Sequence, residues 1–356
     1  MSLPPLLKSR AIFLVIIFIL ISSVFAYSKY KEIPKLNIPY QTDFANNMGG
    51  EGEAEPFNLS IESLRKGNYP GSDLVIEETL APGSNYQRYI VSYLSEGLKI
   101  FALLTVPNGT PPEKGLPAIV FNHGYIPPAQ YRTTERYIAY TDVFSRNGYI
   151  LLRPDYRGHG DSEGSPTGAY GSNGYTFDVL NALSSLKKYP GVNTQKIGMW
   201  GHSMGGFITL RAMVVSEDIK AGVIWAGVVV SYQDLFERWR RRNILSATPS
   251  TRGRSWRQTL SAQFGEPSQN PTFWNSLSAN SFLKDISGPI QLHHGTSDTS
   301  VPVGFSQTLE KQMQEAGKTV ELYTYPGDDH NMASNFGIAS QRSVEFFDRY
   351  LKVDPD

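Results

Sequence analysis

The sequence predicts an α/β fold: a mostly parallel central sheet flanked by helices, with one cap insertion. Three observations predict it. Apolar, β-branched runs alternate with stretches of helical periodicity, the rhythm of strand-helix-strand units. The run Lys196–Trp200 breaks at Gly201-His202-Ser203-Met204-Gly205 and resumes as a helical pattern. The rhythm is interrupted once, between Ser231 and Asp285, where a long segment separates two core strands.

Taken in order, Lys8 and Arg10 precede an apolar run from Ala11 that continues to Tyr27. At about 16 or 17 residues, it falls between a secretory h-region and the roughly 20 needed to cross a bilayer. Residues 1–27 are therefore expected to be a signal peptide, cleaved after Ala26, or an uncleaved signal anchor holding the protein at the membrane. Either way the catalytic region is exported, secreted or periplasmic after cleavage. Residues 28–57, rich in Pro, Gly, Asn and Glu, read as a linker, and 58–356 as one domain. Ser72–Thr79, Tyr86–Tyr93 and Leu98–Val106 have the aromatic and β-branched content of opening antiparallel strands. Further strands are expected at Pro117–Asn122, Tyr149–Pro154, Ala221–Trp225, Ile290–His294 and Val320–Tyr325. Helices are expected near Thr134–Asn147, Thr176–Lys188, Met204–Val215, Gly304–Ala316 and Ser340–Leu351.

A serine hydroxyl is a weak nucleophile at neutral pH, so a serine enzyme presents it on a tight exposed turn within reach of a histidine base. Gly201 and Gly205 leave room for such a turn. The helix opening at Met204 directs its N-terminal N–H groups at the same point. Asp298 follows the strand Ile290–His294, and His330 follows Val320–Tyr325. Ser203, Asp298 and His330 are thus expected at one edge of the sheet, where parallel sheets place their sites, and in the chain order nucleophile, acid, base. Asp328 and Asp329 are rival candidates for the acid. An oxyanion hole would draw on the N–H groups of Met204 and Tyr125.

The runs Phe121–Tyr125 and Arg153–Gly164, the turn at Ser203, Gly295–Asp298 and Asp329-His330 together resemble the catalytic domain of the prolyl oligopeptidase (S9) family of serine peptidases, within the α/β-hydrolase fold. The resemblance covers roughly residues 85 to 353. It implies Ser203 as nucleophile, His330 as base, Asp298 as orienting acid, and Tyr125 and Met204 as oxyanion donors, with no cofactor. The large N-terminal propeller of many members has no counterpart in the residues before that region, so its size filter on substrates is not implied. A small peptide or an ester is the expected substrate. Serine-type peptidase is favoured, with a carboxylesterase of the same fold as alternative and a non-catalytic binding module as a weaker one.

The inserted segment carries Arg238, Arg240, Arg241, Arg242, Arg252, Arg254 and Arg257, interleaved with Trp239, Trp256 and Trp274. Arginine grips carboxylates through paired hydrogen bonds and tryptophan supplies an apolar wall. Trp239, Arg240 and Arg241 are therefore candidate substrate-binding residues, set against a solvated cap surface or contact with anionic lipid. His293 and His294 beside Asp298 lack metal-ligand spacing and are assigned to packing or support, with no metal expected. His202 is expected to leave the turn in another direction, His123 and His159 to be structural, and Asp155, Arg157 and Asp161 to tie their own loop. Formal net charge is zero, which gives no reason to expect nucleic acid. The absence of cysteine excludes disulfides and thiol catalysis. Oligomeric state is not legible.

Overall fold

Antiparallel strands β1 (Val75–Leu80), β2 (Tyr86–Ser95) and β3 (Leu98–Pro107) open the sheet. Strands β4 (Leu116–Asn122), β5 (Ile150–Pro154), β6 (Val192–His202), β7 (Ile219–Trp225), β8 (Ile290–Gly295) and β9 (Val320–Tyr325) follow. The computed structural model describes residues 59–239 and 256–353. Among these the strand order is β1-β2-β3-β5-β4-β6-β7-β8-β9, with β3 antiparallel to β5 and every pair from β5 to β9 parallel. The chain passes from β4 to β5 on one side and returns to β6 on the other, so the order reverses between β4 and β6. Parallel sheets open a crevice at such a point. The leader, the linker, Arg240 and Arg241 lie outside the described residues.

Helix α1 (Ile61–Lys66) is capped by Ser60, whose hydroxyl accepts from Ser63 N–H at 3.0 Å. Helices α2 (Ile138–Arg146), α3 (Gly174–Lys188) and α4 (Met204–Val215) follow. Strand β4 shows how the layers form. Ala118 and Val120 join the core beneath α1, α3 and α4, while Ile119 and Phe121 join the core on the other face. A strand buried on both faces reads as a continuous apolar run, as this one does. Helix α4 is buried from Met204 to Val214, which explains why it is apolar all round rather than striped.

The described residues between β7 and β8 form α5 (Tyr232–Arg238), α6 (Trp256–Phe264), α7 (Pro271–Leu277) and a 3₁₀ turn, Ala279–Asp285. Helices α8 (Gly304–Glu315) and α9 (Phe336–Leu351) complete the chain. Among the described residues no helix is long and apolar enough to cross a membrane.

Three expectations need correction. Helix α9 begins at Phe336, not Ser340. Helix α2 begins at Ile138, not Thr134, because the buried Arg153 guanidinium donates to the carbonyls of Thr133, Glu135 and Arg136. That bracing holds a turn in which Arg136 and Tyr137 are left-handed (φ 55° and 50°). Arg157 does not serve only its own loop. Its guanidinium forks onto the fully buried Asp178 of α3 and reaches Glu96 in the β2–β3 turn.

Candidate active site

Ser203 occupies the turn between β6 and α4 with φ 56° and ψ −116°, a backbone region costly for any residue with a side chain. The last residue of β7 and the loop after it hold it there: Ser203 N–H donates to Trp225 O at 3.0 Å, and Val228 N–H donates to Ser203 O at 3.1 Å. The flanking glycines are required by space. A Cβ at Gly205 would collide with the Asn122 carbonyl of β4, and one at Gly201 with Gly205 O and Thr209 Oγ1. The turn therefore sits directly against the end of β4. Met204 is the first helical residue, so its N–H has no partner within α4.

The loops after β8 and β9 are joined along their backbones. Thr296 N–H donates to Tyr325 O and Ser297 N–H to Asp328 O, both at 2.9 Å, and Gly295 packs against the carbonyls of Asp328 and Asp329. This brings His330 Nδ1 to 2.7 Å from Asp298 Oδ2. Asp298 Oδ1 accepts from Ser300 N–H at 2.7 Å and Val301 N–H at 2.9 Å. Burial by itself would raise the Asp298 carboxyl, but hydrogen bonds from His294, His330 and Val301 hold it well below the ordinary carboxylate range. The carboxylate stays ionised and fixes the imidazole proton on Nδ1, leaving Nε2 to accept a proton.

Neither rival acid takes this role. Asp328 accepts from the N–H groups of Asp329, Ser334 and Asn335, and Asp329 from those of Asn331 and Ala333, so both shape the loop that carries His330. His294, assigned to support, has Nε2 at 3.2 Å from Asp298 Oδ2 and 3.0 Å from Val301 O. Facing two acceptors, Nε2 carries the proton while Nδ1 accepts from Ser306 at 2.7 Å. His294 is thus a second donor to the buried carboxylate.

Ser203, Met204, Tyr125, Asp298 and His330 all line one cavity of about 1030 Å³. Tyr125 is 56% exposed there. Trp239 also lines it and is anchored by Nε1 donating to Ser300 O at 2.9 Å. Arg238 lines the cavity too, paired with Asp234. Arg257 instead donates to the carbonyls of Leu235 and Trp239 and lies over the Trp256 ring, bracing α5 against α6. Trp274 is buried, with its indole N–H on Gly265 O. Arg240 and Arg241 lie outside the described residues.

Sequence reasoning missed Tyr137, Tyr140 and Arg136, which line the same cavity. It also misplaced His202, whose ring turns toward His330, centroids 4.6 Å apart. The signal for Tyr137 was absent because its orientation depends on a turn made by the distant Arg153. His123 is buried between the rings of Tyr131 and Tyr156, a structural place as expected. Among the described residues no three His, Cys, Asp or Glu side chains group as a metal site requires.

The profile of the prolyl oligopeptidase family matches residues 136–354. The chain belongs to the prolyl oligopeptidase family. Among curated relatives, "Uncharacterized peptidase YtmA" of Bacillus subtilis is 25% identical over 251 residues, 70% of this chain and 88% of that protein. Human "Protein ABHD12B" is 26% identical over 222 residues, 61% of this chain and 57% of that protein. Among solved structures, acylaminoacyl peptidase of Pyrococcus horikoshii superposes with a TM-score of 0.61 at 19% identity. It covers 77% of this chain, which spans only 43% of that one. Est1E of Butyrivibrio proteoclasticus, solved with ferulic acid, superposes at 0.56 with 23% identity over 73% of this chain and 98% of its own. These structural likenesses establish the α/β-hydrolase fold, and family membership makes this protein a serine hydrolase.

Proposed function

We propose that the protein is a serine peptidase acting through an acyl-enzyme. Ser203 attacks a carbonyl as His330 takes its proton, the N–H groups of Met204 and Tyr125 receive the oxyanion, and water activated by His330 releases the acyl group. Asp298 holds the imidazole tautomer and balances its transient charge. The observation that carries this reading is the convergence of the strained Ser203 turn and the Asp298–His330 pair on one cavity. A carboxylesterase is the second reading; Est1E, solved with ferulic acid, matches over 98% of its own chain and 73% of this one.

The charges lining the cavity bear on the acyl side. A site that grips a free amino terminus needs a carboxylate to meet the ammonium. Among the described residues Asp298 is the one carboxylate in the lining and it is committed to His330, whereas Arg136 lines it together with Arg238, which is paired with Asp234. This favours neutral or acidic acyl groups. Turnover of matched p-nitroanilide and p-nitrophenyl substrates, each with a free, acetylated or succinylated amino end, tests both points. The expected result is anilide cleavage, with blocked substrates preferred over free ones. Ester cleavage alone would support the second reading, and a preference for free amino ends would overturn the charge argument.

A further inference from the structure

A continuous hydrogen-bond chain runs through the cavity wall beside the three proposed catalytic residues. Gly124 N–H donates to Tyr137 Oη at 2.9 Å, Tyr137 Oη lies 2.7 Å from His202 Nδ1, and His202 Nε2 lies 3.0 Å from the main-chain oxygen of His330. Its two ends fix its direction, because an amide N–H only donates and a carbonyl only accepts. One arrangement satisfies every group: Tyr137 donates its hydroxyl proton to His202 Nδ1, and His202 donates from Nε2–H to His330. The opposite tautomer would set the Nε2 lone pair against the carbonyl lone pairs. Burial, assisted by His330, lowers His202 to about 3, so the ring is neutral at ordinary pH.

The chain links three elements of the site. Gly124 precedes Tyr125 on the loop after β4, His202 precedes Ser203 on the turn after β6, and the carbonyl belongs to His330 on the loop after β9. Their packing is close: a Cβ at Gly124 would lie 2.7 Å from Tyr137 Oη, 3.1 Å from His202 Nδ1 and 3.2 Å from Ser203 Cβ. Tyr137 is itself held left-handed by the turn that Arg153 braces.

We propose that Tyr137 and His202 are positioning residues that lock the oxyanion loop, the nucleophile turn and the backbone of the base at one mutual spacing. The inference rests on the mechanism above. Misplacing reacting groups by small distances costs rate rather than binding, so the effect belongs in kcat. A tyrosine that only fills space would lose stability on truncation and leave kcat intact.

Tyr137→Phe keeps the ring and its edge contact with Phe121 but removes the hydroxyl. In the full chain, kcat is expected to fall about tenfold, the scale of one hydrogen bond lost from the transition state. KM should change by less than about twofold, and the rate of fluorophosphonate labelling should fall in parallel with kcat. His202→Gln, which can still donate to the His330 carbonyl, should retain more kcat than His202→Ala. Nitrogen-15 NMR of histidine-labelled wild type should report His202 as the Nε2–H tautomer, a readout that needs neither turnover nor a variant. A folded Tyr137→Phe protein with wild-type kcat, equal rates for the two His202 variants, or an Nδ1–H tautomer would each overturn the proposal. Loss of turnover in Ser203→Ala tests the underlying mechanism separately.

Discussion

Burial drives His123, His202 and His293 down to about 3, so each enters the fold uncharged. In the unfolded chain each takes a proton below about 6.5. Between those limits the unfolded state binds more protons, so stability is lost as pH falls below 6.5. Asp155 acts in the opposite sense. Burial raises it to about 7, against hydroxyl hydrogen bonds from Thr133 and Tyr131, so from about 4 to 7 the folded state holds its extra proton. Burial lowers His159 as well, so four histidines against one carboxylate leave the histidines dominant. The free energy of unfolding should therefore drop between pH 6.5 and pH 5, by about 1.4 kcal/mol per unit for each uncompensated proton. Urea denaturation at pH 7, 6 and 5 measures this; a constant or rising value on acidification would contradict the burial of neutral histidines.

At the scale of elements, the decisive contact is the packing of the Ser203 turn against the end of β4. Gly205→Ala places a methyl group on the Asn122 carbonyl, with no flexible side chain to give way. The cost should be about 1–3 kcal/mol or more, the range for overpacking a filled core. Gly337→Ala, in the first turn of α9 with nothing within 4 Å of the added carbon, should leave stability unchanged or raise it by up to about 1 kcal/mol. Thermal melting of the two variants checks the contrast, and equal losses would refute it. Helix α4 and strand β9 were legible at both ends because local signals mark them: Ser203 before one, and an apolar run closed by Pro326-Gly327 for the other. The start of α2 was not, since Arg153, a strand residue, sets that turn across the fold. The place of Asp298 after β8 was readable and His294 beside it was assigned to packing or support, whereas the donation of His294 to the carboxylate depends on α8, whose Ser306 donates to its Nδ1.

Across the whole molecule, the sheet gathers groups far apart in the chain. Strands β4, β6, β8 and β9 each deliver one loop to the same edge, and the reversal of order between β4 and β6 opens the crevice that Ser203 faces. Motif order made the proposed Ser203, Asp298 and His330 triad legible, since each follows a recognisable strand. The cavity wall was less so: Arg136, Tyr137 and Tyr140 come from a turn and helix whose only common property is where the sheet puts them. The inserted segment adds Arg238 and Trp239 to the wall, while Arg257 braces the segment from within. The central claim is that this convergence activates Ser203. Covalent labelling of the purified protein with a fluorophosphonate, beside Ser203→Ala and His330→Ala, measures that activation directly. Labelling of the wild type that vanishes in both variants is the predicted result; a folded wild type left unlabelled, or labelling that persists in Ser203→Ala, would contradict it.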